Sequence, residues 1–265
     1  MWIVQIFMKS GCTGKSGFTL VELIVVIAVI AVLAALLLPV LSQAKASAWR
    51  TVCLSNLRQI NVGIQLYCGD SSDKAPKQEG IKTNQMLTLI GYKSLVHAYV
   101  DGNSTNSPNA KIFACPADAF YFTTSNGINV VRNEALHAQS FVDYASYGFN
   151  GLNLNTNMVA RALRRFGLDL SQFGVGGRAL ASVQNPSRTV LVAETPAFTP
   201  YSWHHPRQPL LDNPQYNNSM NTFSFVDGHS SYLKVFWTNT VASGVRLDAS
   251  FQNPPAGYSY QWSIN

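Results

Sequence analysis

Glu22 is the one charge in a stretch that is otherwise apolar as far as Leu41, and it stands five residues past Gly17. Inside a membrane helix a carboxylate costs roughly 2.5–3.5 kcal/mol on insertion scales, so its presence there points to a task. The chemistry open to it is electrostatic: it lies near the positive end of a helix dipole and can be paired by an ammonium group. A second set, Glu194, His204, His205, Asp212, Asp227 and His229, has the residue types that hold a catalytic zinc. Its spacing matches no metal signature, since adjacent His204 and His205 do not usually face one ion and Pro206 follows at once. No metal, no cofactor and no catalytic residue is therefore expected, and the chain reads as a non-enzyme. Asp70, Ser71, Ser72 and Asp73 offer oxygen ligands for calcium, but Lys74 follows and no EF-hand series is present, so they read as a solvated turn. Gly11 to Ser16 imitates a phosphate loop, yet the position that needs the first glycine is Lys9.

The element that carries Glu22 is a helix. Leu23 to Leu38 contains no polar residue, and with Leu20, Val21, Val40 and Leu41 the span reaches bilayer length. No polar stripe recurs at the helical period, which excludes an ordinary surface helix. Beyond it, Ala48, Val52, Leu57, Ile60, Ile64 and Tyr67 recur at spacings of three to five, with Gln43, Lys45, Arg50, Arg58 and Gln59 on other faces. A continuous helix from Phe18 to Tyr67 would measure about 75 Å. Pro39 is expected to bend it, because it removes a backbone donor and crowds the preceding turn. Gly69 to Asp73 should end it. The competing reading of the apolar run is a secretory signal peptide cut near Ala44-Lys45-Ala46 or Ser47-Ala48, but its apolar core is longer than the usual one and carries an acid at its start.

From residue 70 to 265 the composition turns to Asn, Gly, Pro, Ser, Tyr and Phe with few charges, enough for one domain with a core and suited to a loop-rich sheet. Helices are expected at Thr83 to Tyr99 and Met158 to Phe166, and strands at Lys111 to Cys115 and Thr189 to Ala193. Thr222 to Val226 and His229 to Phe236 form a predicted hairpin, with Asp227-Gly228 as a two-residue turn whose central residues take positive φ. The net charge of +6 is dispersed except near Arg161, Arg164 and Arg165, so that face reads as solvated and nucleic acid is not an expected partner. Tyr201, Trp203, Trp237 and Trp262 could stack on a carbohydrate, although aromatics of this kind are more often core.

Lys15-Ser16-Gly17-Phe18-Thr19-Leu20-Val21-Glu22-Leu23 closely resembles the prepilin-type cleavage and methylation signature of type IV pilins and type II secretion pseudopilins. The resemblance implies cleavage after Gly17, N-methylation of Phe18, and Glu22 as the filament-assembly carboxylate; Pro39 falls where many pilin helices bend. It implies an α+β pilin-like fold: leader 1–17, a transmembrane half-helix 18–41, a periplasmic half-helix 42–69, and a periplasmic head 70–265 with antiparallel sheet. Phe225-Val226-Asp227-Gly228-His229 resembles a C-terminal signature of bacterial pilin-like proteins in which the Asp-Gly pair lies ten residues after a histidine; here that position is Asn217. Cys53 to Ile60 and Cys115 to Asp118 look like the same group. With Cys12 in the leader, Cys53, Cys68 and Cys115 remain. Cys53 and Cys68 lie about 22 Å apart on a helix, beyond disulfide reach, so either one of them pairs with Cys115 or all three are buried thiols.

The implied function is a structural subunit of a type II secretion pseudopilus or related type IV filament. Its implied partners are prepilin peptidase, other pilin or pseudopilin subunits, inner-membrane lipid and the assembly platform. The implied location is the bacterial inner membrane, single-pass, with the head in the periplasm. The alternative is a membrane-anchored or secreted binding module with no filament role.

Overall fold

The computed structural model describes residues 17–77, 89, 91–100, 111–125, 128–151, 174–207, 214–237, 241–242, 245–246 and 253–265. The chain divides into two compact units, Met1–Lys45 and Ala46–Asn265. Helix α1, Leu20–Asp70, contributes to both.

In the first unit α1 begins with a reciprocal cap. The Thr19 backbone N–H and hydroxyl both donate to Oε2 of Glu22, at 2.8 and 2.7 Å, and the Glu22 N–H donates to Thr19 Oγ1 at 3.2 Å. This is a capping box, which satisfies donors that a helix start leaves bare. Every described residue from Gly17 to Ala48 is exposed, whichever face of the helix it occupies. A helix apolar all round has no stable place in water, so the run needs lipid or neighbouring helices. Pro39 lies inside the helix, and the hydroxyl of Ser42 donates to its carbonyl at 2.8 Å.

In the second unit the helix acquires a buried face. Cys53, Leu57, Ile60, Ile64 and Cys68 recur every three or four residues and all lie in the core. Asn56 and Asn61 are buried beside them and are used as donors. Asn56 Nδ2 reaches the Ala114 carbonyl at 3.1 Å, and Asn61 Nδ2 reaches Ser224 Oγ at 2.6 Å and the Phe225 carbonyl at 2.7 Å. Gln65 adds a bond to the Val226 carbonyl at 3.0 Å. Helix α2, Lys93–Val100, packs closely against α1 at Gly63, where a Cβ would come within 2.2 Å of Val100 Cγ2. The rest of the expected helix at Thr83 to Tyr99, apart from Leu89, Gly91 and Tyr92, lies outside the described residues, as does the one at Met158 to Phe166.

The helix ends at Asp70, with Ser72 and Asp73 left-handed and the Asp73 N–H returned to the Cys68 carbonyl at 2.8 Å. This turn is more than solvated chain. Asp70 Oδ2 accepts from the Tyr99 hydroxyl at 2.9 Å, and Asp73 Oδ2 accepts from the Ala181 N–H at 3.4 Å, so the acids fasten α2 and a later turn to the end of α1.

The main sheet is an antiparallel meander of β3 (Tyr147–Phe149), β4 (Val190–Glu194), β5 (Ser219–Phe225) and β6 (Ser230–Val235). Strand β4 falls where the sequence predicts it and is buried along its whole length. A bulge at Leu191 shifts its register on β5. One face of the sheet meets α1, with Ser224 bonded to Asn61. The other is covered by the C-terminal Tyr260 and Trp262, which gather with Phe198, Phe223, Phe225 and Val235. Two small antiparallel pairs accompany it: β1 (Tyr121–Ser125) with β2 (Ile128–Arg132), and β7 (Val241–Ala242) with β8 (Val245–Arg246). The described residues thus form an α+β arrangement of a long N-terminal helix and antiparallel sheets.

Two local expectations are corrected. Lys111 to Cys115 is not a strand: Lys111–Phe113 is a 3-10 turn, and the Cys115 N–H goes to Ser146 Oγ at 2.9 Å rather than to a neighbouring strand. The β5–β6 connection is a three-residue loop. Phe225 and His229 close it by a bond of 3.0 Å, the Gly228 N–H donates to the Phe225 carbonyl at 2.9 Å, and only Gly228 has positive φ, at 96°. That is the type I turn with a left-handed glycine, the next most common hairpin after the two-residue form.

Burial also sets a pH limit on the fold. The Cys68 thiol is pushed up from 9.0 to about 11, by burial and then by the Asp73 carboxylate; burial likewise pushes the Tyr260 hydroxyl up from 10.0 to about 12. Between the unfolded and folded values the native state holds more protons, so stability is whole below pH ~9 and is lost as pH rises through ~11 to 12. Urea midpoints should hold steady from pH ~7 to 8.5 and fall above ~9, with Cys68→Ala delaying the fall; a midpoint flat through pH ~11 would contradict this.

Candidate functional site

Gly17, Phe18 and Glu22 lie together at the exposed start of α1. Gly17 has nothing within 4 Å of where a Cβ would stand, and Phe18 is 71% exposed. Both cap bonds from Thr19 converge on one oxygen of Glu22, Oε2, and leave the other carboxylate oxygen outside the cap. The segment therefore presents an accessible backbone at Gly17-Phe18 and a carboxylate held by its own helix start.

In the second unit, the Asp227-Gly228 hairpin has a structural explanation. Asp227 Oδ1 accepts from the N–H and Nδ1 of His229 at 3.1 and 2.6 Å, and the His229 ring stacks on Phe225 at 4.2 Å. The loop docks through Val226 N–H to the Thr189 carbonyl and Asp227 N–H to the Pro186 carbonyl, while Asn61 and Gln65 on α1 take up the Phe225 and Val226 carbonyls. Asn217 lies at the other end of the hairpin, its Oδ1 accepting from the N–H groups of Asn218 and Trp237 at 3.0 and 2.9 Å. Asp118 is a similar anchor: its buried carboxylate accepts from Leu136 N–H, His137 N–H, His137 Nδ1 and Ser146 Oγ at 2.7 to 3.0 Å.

The cluster with chemical potential is one that sequence spacing did not predict. Cys53 and Cys115 are joined in a disulfide, with Cα atoms 5.4 Å apart. Closing a loop of 62 residues, it stabilises the fold by about 4 kcal/mol in the chain-entropy model. Against Cys115 Sγ lie Glu194 Oε1 at 3.2 Å and His204 Nε2 at 3.7 Å. The imidazole Nε2 and Glu194 Oε1 are 2.7 Å apart, with side chains 3% and 0% exposed. Each ligand atom comes from a different place: α1, the chain after the 3-10 turn, the end of β4, and the bend that follows. All four lie within 4.8 Å of one another.

The surroundings are buried. Glu194 Oε2 accepts the Thr222 N–H at 3.0 Å, while His204 Nδ1 is buried with no hydrogen-bond partner among the described residues. A buried polar atom left unpaired costs about 1–3 kcal/mol, so packing alone is a poor reason for an imidazole here. The Tyr232 hydroxyl is pushed up to about 12, by burial first and then by Glu194, with Arg50 opposing; the Arg50 guanidinium lies 5.0 Å over the Tyr232 ring, and that ring meets His204 edge-on.

Of the residues weighed and set aside as zinc ligands on their spacing, Glu194 and His204 do meet. His205 does not join them: it is exposed, its N–H bonded to Ser202 Oγ. Asp227 and His229 pair with each other in the hairpin loop, and Asp212 lies outside the described residues. Arg161, Arg164 and Arg165 lie outside them as well. Tyr201, Trp203 and Trp262 are core residues, which removes them as a stacking surface, and Trp237 is half-buried. The cysteines escaped as ligands because neither stands near the other or near Glu194 in sequence.

Comparison with known families identifies residues 12–38 as a prokaryotic N-terminal methylation motif. Neither the curated proteins nor the solved structures provide a match. The motif implies processing by prepilin peptidase and assembly with other pilin subunits, and it points to a structural subunit. The apolar helix that it opens fits a membrane anchor carrying a pilin-type signal. A methylation motif at the head of a long, wholly apolar helix, followed by antiparallel sheet, fits a type IV pilin-like protein.

Proposed function

We propose that the chain is a prepilin-like structural subunit of a type II secretion pseudopilus or a related type IV filament, held in the inner membrane by one span with its head in the periplasm. The observation that carries this reading is the coincidence at one helix start of the methylation motif, an accessible Gly17-Phe18 bond and a lone Glu22, ahead of an apolar run exposed on every face. Peptidase removes residues 1–17, and Phe18 becomes the methylated N-terminus. The span waits in lipid until neighbouring subunits cover it. Burying such a helix among others exchanges lipid contacts for side-chain packing and lets Glu22 meet the amine of an adjacent Phe18. The assembly platform and the other pilins or pseudopilins are then its working partners, and the reading requires no catalysis by the chain itself.

N-terminal sequencing and intact mass of the protein, isolated from cells with and without prepilin peptidase, test the reading. The expected result is Phe18 as first residue in the presence of the peptidase and an uncut leader in its absence. A first residue at Ser47 or Trp49, or a mass that ignores the peptidase, would overturn it.

A further inference from the structure

The cluster in the head is independent of the filament. We propose that Cys53, Cys115, Glu194 and His204 form a redox-gated zinc site, closed by the disulfide when oxidised and able to take one Zn2+ when a dithiol has reduced it.

Two thiolates, one imidazole and one carboxylate supply the four ligands of a tetrahedral zinc ion, with no position left for water. Its spacing is near that of a coordination shell. With Zn–S ~2.3 Å and Zn–N or Zn–O ~2.1 Å, tetrahedral edges are ~3.6 Å from sulfur to nitrogen or oxygen and ~3.4 Å from nitrogen to oxygen. The corresponding separations around Cys115 Sγ are 3.7 Å to His204 Nε2 and 3.2 Å to Glu194 Oε1, and the last two atoms are 2.7 Å apart. The larger change is at the sulfurs, which must part to ~3.8 Å. Cα atoms 5.4 Å apart allow that by side-chain rotation.

His204 is held where a ligand would be needed. Its side chain is nine-tenths buried and more, its Nε2 is aimed at both Glu194 and Cys115, and its Nδ1 has no hydrogen-bond partner among the described residues. A metal on Nε2 would take the place of the Glu194 contact, and Nδ1 would keep its buried position. Two thiolates and a carboxylate leave the zinc complex one negative charge, and Arg50 stands behind the Tyr232 ring that flanks His204.

The steps balance. A dithiol reductant gives two electrons and two protons to the Cys53–Cys115 bond and becomes a disulfide. Zn2+ then displaces the two thiol protons, while the His204 proton moves from Nε2 to Nδ1. Oxidation by a disulfide removes two electrons from the thiolates, remakes the bond and expels the zinc, while the oxidant takes two protons from water and leaves as a dithiol.

The test uses the full chain in detergent, oxidised or reduced with a phosphine, equilibrated with zinc alone and freed of excess by gel filtration. The expected result is one zinc per reduced chain above the oxidised level, with Cys115→Ser abolishing it and Glu194→Gln or His204→Asn lowering affinity at least tenfold. Co2+ on the reduced wild-type chain should show thiolate-to-cobalt charge transfer and the intense visible bands of a tetrahedral ion; this measurement needs no variant to fold. Equal zinc in the oxidised and reduced chains overturns the proposal. So does zinc retained by reduced Cys115→Ser, which would place the metal elsewhere, or a reduced wild-type chain, folded or unfolded, that binds none.

Discussion

Asp118→Ala should lower the stability of the head by about 4 kcal/mol, the largest loss expected from any single side chain outside the hydrophobic core. Its carboxylate collects four donors, and hydrogen bonds to a charged acceptor contribute about 1.5–3 kcal/mol each, less what water recovers at the partly exposed His137. Alanine leaves the Leu136 N–H and Ser146 hydroxyl without their acceptor, and Ser146 is the residue that also accepts the Cys115 N–H. The damage therefore extends to the disulfide loop. Since domains have about 5–15 kcal/mol in total, such a loss approaches unfolding. Asp118→Asn should lose about half as much, because its one carbonyl oxygen can accept but its amide faces donors. Urea titration of the full chain in detergent, followed by near-ultraviolet circular dichroism, measures both; an alanine variant within ~1 kcal/mol of wild type would refute the anchor.

Asp118 also shows what the sequence could and could not disclose. Its neighbour Cys115 reads as the end of a strand because Ile112, Phe113 and Ala114 make a short apolar run before it, yet its N–H is taken by a distant hydroxyl, Ser146, and the run forms a 3-10 turn. By contrast β4 announces itself, since a continuous run of Val, Leu and Ala needs burial on both sides and gets it from α1 and the C-terminal aromatics. The Asp-Gly hairpin was legible as a hairpin but not in its turn type, because the Asp227 side chain binds His229 and keeps its own φ negative. A signal was available for β1 and β2, the Asn126-Gly127 dipeptide between two runs rich in aromatic and β-branched residues. The four-residue cluster had no such signal. Its members are separated by 62, 79 and 10 residues along the chain, and only the folding of α1 onto the sheet brings them within reach.

The N-terminal segment was the reverse case: the long apolar helix and the methylation motif were both legible, because they are written in consecutive residues. What the structure adds there is the capping role of one Glu22 oxygen, and it leads to the second large effect. Oε2 serves the helix's own start, so a neighbour's amine would be met by the other oxygen. Glu22→Gln keeps a carbonyl oxygen for the Thr19 donors but removes the charge; Thr19→Val removes the side-chain part of the cap and keeps the charge. If Glu22 acts in assembly through its charge, Glu22→Gln should reduce recovery of an untagged copy with a tagged one by about 100-fold. The ~3–5 kcal/mol lost when one partner of a buried ion pair is removed is a factor of roughly 150 to 5,000, so about 100-fold is the low end of the effect. Thr19→Val should reduce it by less than about fivefold, the scale of one cap bond. Both variants should insert in the membrane as well as wild type, since neither shortens the apolar run. Crosslinking in membranes before detergent extraction measures recovery. Glu22→Gln at wild-type level would assign the carboxylate to the helix cap alone, leaving assembly to the packing of apolar side chains.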